Sequence, residues 1–152
     1  MQGKPSNLND SNIISDNIIG SGAFDSERIG GGGIVVKHQN YCIISKNDIG
    51  YIGVLISETP SSNHPVGIGV GTTFASASTN TPGKNCLVDK NYVHNIIDGK
   101  GNAAYGIKIT TSNSGATDNM ISNNVIYDIN SNDGAGFYGA TGIHHSGGTG
   151  DK

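Results

Sequence analysis

Residues 87–93 read Leu-Val-Asp-Lys-Asn-Tyr-Val: an aliphatic pair, two polar residues, an asparagine and a return to apolar sequence. Three other stretches repeat this arrangement, and the four copies are Ile13–Ile19, Ile43–Ile49, Leu87–Val93 and Met120–Ile126. Their asparagines, Asn17, Asn47, Asn91 and Asn124, are separated by 30, 44 and 33 residues. A repeat of about this length is typical of a solenoid, with the insertions lying between the copies.

A second motif alternates with the first along the chain. Its copies are Gly33–Val36, Gly67–Val70, Gly106–Ile109 and Gly142–His145. Both motifs place apolar residues two apart, which is the period of a strand with one buried face, and no segment keeps a helical period. Short strands that recur without helices between them predict parallel coils stacked ~4.8 Å apart, with the inward aliphatic residues in columns.

Composition and charge exclude several classes of protein. The 152 residues carry a formal net charge of −3 and no run of like charge, so a duplex nucleic-acid binder is not expected. The sequence shows no signal peptide after Met1, and its longest apolar stretch, 49–56, is too short to cross a bilayer. Cys42 and Cys86 are too few for a disulfide framework; their shared inward column favours buried free thiols and leaves a disulfide open.

Over residues 11–146, the two motifs resemble the right-handed parallel β-helix repeat family, which includes pectate-lyase-like proteins. The resemblance implies an all-β, right-handed parallel β-helix of about four coils, with three strands in each coil. Residues 1–10 are a polar lead and 147–152 a polar tail. No polar cap is evident at either end, so we expect this chain to be a truncated segment whose further coils belong to a longer parent chain.

In that family an asparagine lies at the bend after the second strand, and its amide stacks from coil to coil. Asn17, Asn47, Asn91 and Asn124 match that position and are expected to form a structural ladder. The chemistry supports this interpretation, because asparagine tolerates left-handed backbone angles and its amide both donates and accepts.

The resemblance also implies a cleft along the first strand, beside the loops that follow the third strand, here 50–66, 95–105 and 127–141. Alternation along the first strand turns Lys108 and His144 outward as neighbours, with Lys37 in the next outward column. A Lys or His beside a uronate carboxylate suits β-elimination, often with a cation to stabilise the developing charge. We therefore predict Lys108 and His144 to be catalytic and Lys37 to bind substrate.

Aromatic and acidic residues supply further candidates. Tyr92, His94 and Tyr127 project from the third strand and either stack on sugar rings or pack beneath a loop. Asp128 and Asp133 suggest a weak Ca²⁺ site, although the glycine spacing and missing glutamate exclude an EF-hand. A glycosidase needs paired carboxylates, and the first strand supplies none, so we rank a hydrolase below a lyase.

The sequence thus predicts a segment of an extracellular or cell-surface protein resembling polysaccharide lyases and epimerases that act on acidic polysaccharides. The alternative is a non-catalytic repeat segment of an adhesin or surface stalk. Charged residues on the first-strand face would favour the enzyme, whereas coils without such residues would favour the stalk. Gly69 and Gly71 interrupt the charged column here, so both interpretations stay open.

Overall fold

The computed structural model describes residues 9–20, 28–54, 64–72, 83–99, 101–111, 117–132 and 139–152. Over these ranges the chain forms sixteen strands and no helix, and every strand pairing is parallel. The predicted all-β, parallel-strand character is confirmed, and the arrangement is compatible with a β-solenoid.

The described ranges contain four sheets, each built from strands far apart in sequence. Sheet I contains β1 (Asn9–Asp10), β5 (Gln39–Asn40) and β10 (Gly83–Lys84). Sheet II contains β2 (Ile13–Ser15), β6 (Ile43–Ser45), β11 (Leu87–Asp89) and β14 (Met120–Ser122). Sheet III contains β3 (Ile18–Ile19), β7 (Asp48–Ile49), β12 (Tyr92–Asp98) and β15 (Val125–Ser131), with β8 (Ile52–Val54) beside β12. Sheet IV contains β4 (Gly32–Val36), β9 (Val66–Val70), β13 (Ala104–Thr110) and β16 (Ala140–Ser146).

The chain visits sheets II, III and IV in the same order four times, so equivalent positions of the repeat become neighbours. Ile44, for example, is in register with Ile14 on one side and with Val88 on the other. The inward residues of these sheets form one apolar core whose centre includes Ile44, Ile68 and Ile107, each fully buried. Burial of such aliphatic columns is the main favourable term in the folding of this chain.

The repeated asparagines form a column of amide hydrogen bonds at the turn between sheets II and III. The Nδ2 atoms of Asn17, Asn47 and Asn91 donate to the Oδ1 of the next asparagine at 2.9, 3.0 and 3.0 Å. The backbone N–H groups of the same three residues donate to those same oxygens. Each of the accepting side-chain oxygens therefore receives two hydrogen bonds from the neighbouring coil.

The sequence places the left-handed backbone conformation at these asparagines, and this prediction is wrong by one residue. Positive φ angles of 57°, 55°, 55° and 53° belong to the preceding residues, Asp16, Lys46, Lys90 and Asn123. The bend therefore precedes the ladder, and the asparagine is required for its amide and not for its backbone conformation. Lysine at two of these positions shows that stacking of the coils outweighs the local steric cost.

The glycine of the Gly-Ile motif is explained by close packing between sheets IV and III. A Cβ atom on Gly67 would lie 2.4 Å from Val93 Cγ1 and 2.7 Å from Gly106 O. A Cβ on Gly106 would lie 2.6 Å from both Ile126 Cγ2 and Gly142 O. Because Gly106 and Ile107 both face inward, the strand departs from simple alternation and Tyr105 falls on the outer face.

The third strands are longer than the sequence predicts. The loops are expected to begin at 95 and 127, yet β12 continues to Asp98 and β15 to Ser131. Each strand accommodates one residue with positive φ, Asn95 in β12 and Asp128 in β15. β8 likewise occupies the start of the loop expected at 50–66. The parallel hydrogen bonds thus extend through a bend that resembles a turn in sequence.

Cys42 and Cys86 are fully buried free thiols. The hydrogen bond between their side chains raises the pKa of Cys42 and lowers that of Cys86.

At the tail, Asp151 accepts hydrogen bonds from Thr117 Oγ1, the Asn119 backbone N–H and His145 Nε2 at 2.6 to 2.7 Å. The tail therefore docks against the preceding coil through its carboxylate.

Candidate functional site

The candidate site lies on the outer face of sheet IV. Within this sheet, Lys108 of β13 is in register with His144 of β16 and with Gly69 of β9. Ile107 and Ile109, on either side of Lys108, are fully buried in the core, so the lysine projects to the opposite face. The two residues predicted to be catalytic are therefore direct neighbours across adjacent strands.

Lys108 is buried although it lies on the outer face of the sheet. It is 6% exposed, and its Nζ lies 4.3 Å from the centre of the Tyr105 ring. Among the described residues, no carboxylate forms an ion pair with it. Burial lowers the pKa of Lys108 below its ordinary 10.5, because removal from water penalises the ammonium form.

His144 completes a compact group with Lys108 and Tyr105. The rings of His144 and Tyr105 are 5.1 Å apart, centre to centre, and are tilted by 58°. Burial and the nearby charges of Lys108 and His145 hold the pKa of His144 below its ordinary 6.5. The imidazole is therefore mostly uncharged at neutral pH and available to accept a proton.

His64 approaches the same tyrosine from the other side. Its ring centre is 6.3 Å from that of Tyr105, and its Nδ1 accepts a hydrogen bond from the Ala103 backbone N–H at 3.2 Å. Burial and the Lys108 charge lower the pKa of His64, and the carboxylate of Asp98 opposes this change. Two histidines and one lysine thus surround one aromatic ring.

Asp98 is the carboxylate whose charge acts on this cluster through His64. It is fully buried, and one carboxylate oxygen accepts a hydrogen bond from the Asn102 backbone N–H. Among the described residues its other oxygen, Oδ1, has no hydrogen-bond partner. A buried carboxylate oxygen without a donor is costly, and the negative charge of Asp98 opposes the effect of the Lys108 charge on His64.

Lys37 follows β4, at the far side of sheet IV from β16. The order of strands is β16-β13-β9-β4, so Lys37 is two strands away from Lys108. Its backbone carbonyl accepts a hydrogen bond from Gln39 Nε2 at 2.7 Å. Lys37 therefore lies at the end of the outermost strand of sheet IV, and the strand β9 separates this strand from the strand that carries Lys108.

The predicted aromatic residues form a separate cluster on sheet III. The His94 ring stacks on Tyr127 with centres 5.3 Å apart and planes 10° apart, and Tyr92 lies 5.0 Å from His94 and 5.2 Å from Tyr127. His94 Nε2 is 2.8 Å from Asp48 Oδ1. Tyr92, His94 and Tyr127 are thus brought together, but on a different sheet from Lys108 and His144.

The predicted Ca²⁺ ligands do not gather into a site that the structure describes. Asp128 is exposed at a left-handed bend within β15, whereas Asp133 lies outside the described residues. Among the residues that are described, no three His, Cys, Asp or Glu side chains lie close enough together to hold a metal ion.

Sequence reasoning missed Tyr105 and His64. Tyr105 precedes the Gly-Ile motif, and simple alternation from Ile107 directs it inward; the inward-facing Gly106 instead turns it outward. Its position before the repeated glycine was the available signal. His64 belongs to a segment between β8 and β9 that shares no motif with the other coils, so the sequence held no signal for it.

Comparisons with protein-family models, with curated proteins and with solved structures find no match to this chain. Among the described residues, none belongs to a helix that is long and apolar enough to cross a lipid bilayer.

Proposed function

We propose that this chain is part of a right-handed parallel β-helix protein, resembling pectate-lyase-like enzymes, that cleaves acidic polysaccharides by β-elimination at the sheet IV cluster. One observation carries the proposal: Lys108 is buried to 6% exposure, and no carboxylate among the described residues pairs with it. The Tyr105 ring faces this ammonium group, but a cation–π contact offsets only part of the cost of burying a charge without a carboxylate. The carboxylate of a bound uronate would provide the missing partner.

The cluster supplies the groups that this reaction needs. The Lys108 ammonium binds the uronate carboxylate and stabilises the negative charge that develops when the adjacent carbon loses its proton. His144, uncharged at neutral pH, accepts that proton. The bond from the neighbouring carbon to the leaving oxygen breaks as the carbon–carbon double bond forms. The Tyr105 hydroxyl donates a proton to the leaving oxygen and regains one from solvent, to which the His144 imidazolium releases the proton that it accepted.

Replacing Lys108 with methionine tests this assignment, because methionine matches much of the lysine stem and removes its charge. We expect at least a ~100-fold fall in the rate at which unsaturated ends form on polygalacturonate or alginate, followed by ultraviolet absorbance. The free energy of unfolding in urea should stay equal or increase, since a costly buried charge is removed. Loss of activity without loss of stability separates a catalytic from a structural lysine.

Lys46 provides the control for this substitution. It is exposed at the turn before Asn47 with φ of 55°, so Lys46→Asn removes a lysine and keeps a residue that tolerates that backbone. This variant should cleave both polymers at the unaltered rate. Equal rates for Lys108→Met and the unsubstituted chain would remove Lys108 from the mechanism.

The pH profile gives a second test. His144 must be neutral to accept a proton, so kcat/KM should rise with pH through a pKa below 6.5. Lys108 must be charged to bind the carboxylate, so kcat/KM should fall at high pH through a pKa below 10.5. His144→Gln should abolish the acidic limb together with most of the activity. An acidic limb that persists unchanged in this variant would assign the base to another group.

A further inference from the structure

The aromatic cluster on sheet III has features of a binding surface that packing does not require. Tyr92 is 42% exposed and Tyr127 is 38% exposed, and both rings adjoin the buried His94. The Asp48 side chain beside them is 49% exposed. We refer to Asp48, Tyr92, His94 and Tyr127 as the sheet III platform.

The platform is held rigid from beneath. A Cβ atom on Gly50 would lie 2.4 Å from His94 Cε1, so the glycine allows the imidazole to lie directly against the backbone between β7 and β8. Both ring nitrogens are within hydrogen-bond distance of a partner: Nε2 is 2.8 Å from Asp48 Oδ1, and Nδ1 is 2.9 Å from Asn95 Nδ2. Tyr127 then stacks on this fixed ring. Little side-chain entropy remains to be lost when a ligand binds.

Two carboxylates lie close to the platform. Asp48 and Asp128 both act on Tyr127, whose pKa is raised to about 12 chiefly by its hydrogen bond with Tyr92 and in smaller part by these carboxylates. A nearby cation, Arg28, donates to the backbone carbonyls of Asn95 and Ile52 and lies 5.8 Å from the Tyr51 ring. The two carboxylates outnumber this arginine, so an acidic polysaccharide is less favoured here than at the Lys108 cluster.

We propose that the sheet III platform is a second carbohydrate site that binds neutral hexose chains. The apolar faces of sugar rings pack against Tyr92 and Tyr127, and their hydroxyl groups donate to the Asp48 carboxylate. A neutral sugar can contact the two aromatic rings and the Asp48 carboxylate without adding a second negative charge beside that carboxylate. This inference does not rest on Lys108, on His144 or on any cleavage activity.

Binding to the full chain is measured by NMR titration and calorimetry with four neutral hexasaccharides: cellohexaose, laminarihexaose, maltohexaose and mannohexaose. Hexagalacturonate is the acidic probe. At least one neutral probe should bind with a Kd of about 1 mM and perturb the resonances of Tyr92 and Tyr127. Tyr92→Leu keeps an apolar cover over His94 and removes the ring, so it should weaken this binding ~10-fold. Tyr92→Trp should restore it.

Tyr41→Asn is the matched control, because Tyr41 is 59% exposed on another part of the molecule and asparagine tolerates its φ of 54°. This variant should bind neutral probes as tightly as the unsubstituted chain. The inference is overturned if no neutral probe binds, if hexagalacturonate perturbs the platform more strongly, or if Lys108→Met and not Tyr92→Leu removes neutral binding. Failure to cleave polyuronates would count against the proposed lyase and leave this result intact.

Discussion

Asn91→Ala is expected to lower the free energy of unfolding by about 3–5 kcal/mol, among the largest losses for a single side chain here. Asn91 is 1% exposed. Its Nδ2 donates to Ile44 O and Asn124 Oδ1 at 2.9 and 3.0 Å, and its Oδ1 accepts from the backbone and side-chain nitrogens of Asn47. Alanine would leave these groups inside the turn without partners, and each such group costs about 1–3 kcal/mol.

Asn17→Ala is the matched comparison, because Asn17 occupies the same repeat position but is exposed. Its Nδ2 donates to Ser15 O and Asn47 Oδ1, atoms that water can reach in its absence. We expect a loss of no more than about 1 kcal/mol by urea denaturation. Asn91→Asp, which creates no cavity, should cost nearly as much as Asn91→Ala, since it removes the donors. Equal losses at Asn17 and Asn91 would show that the column does not act through buried hydrogen bonds.

The two repeated motifs were sufficient to predict strands, parallel pairing and the residues that share each column. Lys108 and His144 illustrate why: once the Gly-Ile copies are aligned, period-two alternation fixes which residues are neighbours on the outer face. Such information is local to each coil. It therefore survives in the sequence even though the copies are separated by insertions of different length.

Features that depend on several coils at once were not predictable in this way. The polar pair Gln39–Asn40 forms β5 of sheet I, because its neighbours in the stack extend the ladder and not because of any strand pattern of its own. Asn95 is typical of a turn in sequence, yet its strand continues beyond it. Pairing on both sides of β12 supplies hydrogen bonds that outweigh one unfavourable backbone angle.

At the candidate site, too, some features could be predicted from the repeat and others depend on the surrounding coils. The register of Lys108 could be derived, but its burial could not, since burial depends on what covers the sheet. His64 reaches Tyr105 from a segment that precedes β9 and carries no repeat. The residues that come from the repeated column can therefore be predicted from the sequence, whereas those from the irregular segment cannot.

Gly106→Ala is expected to cost about 3 kcal/mol of folding free energy, measured by urea unfolding. The new Cβ would lie 2.6 Å from Gly142 O, a backbone atom fixed by the β13–β16 ladder, and 2.6 Å from Ile126 Cγ2. Relief would require sheets III and IV to separate locally, and overpacking of this kind typically costs about 1–3 kcal/mol. Tyr105 and Lys108 flank this position, so the outer-face cluster should be displaced as well.

Gly142→Ala tests the cause, because Gly142 holds the same place in the next copy of the motif but has more room around it. A Cβ atom on Gly142 would lie 4.0 Å from its nearest neighbour, Ile126 Cγ2, which is an ordinary contact distance. Alanine there meets no clash and restricts the unfolded chain, so the variant should be unchanged or more stable by about 0.4–1 kcal/mol. The two substitutions are chemically identical and differ only in whether a further strand and side chain occupy the space. A loss at Gly142 similar to that at Gly106 would show that the motif needs glycine for its backbone conformation, and the packing explanation would then be wrong.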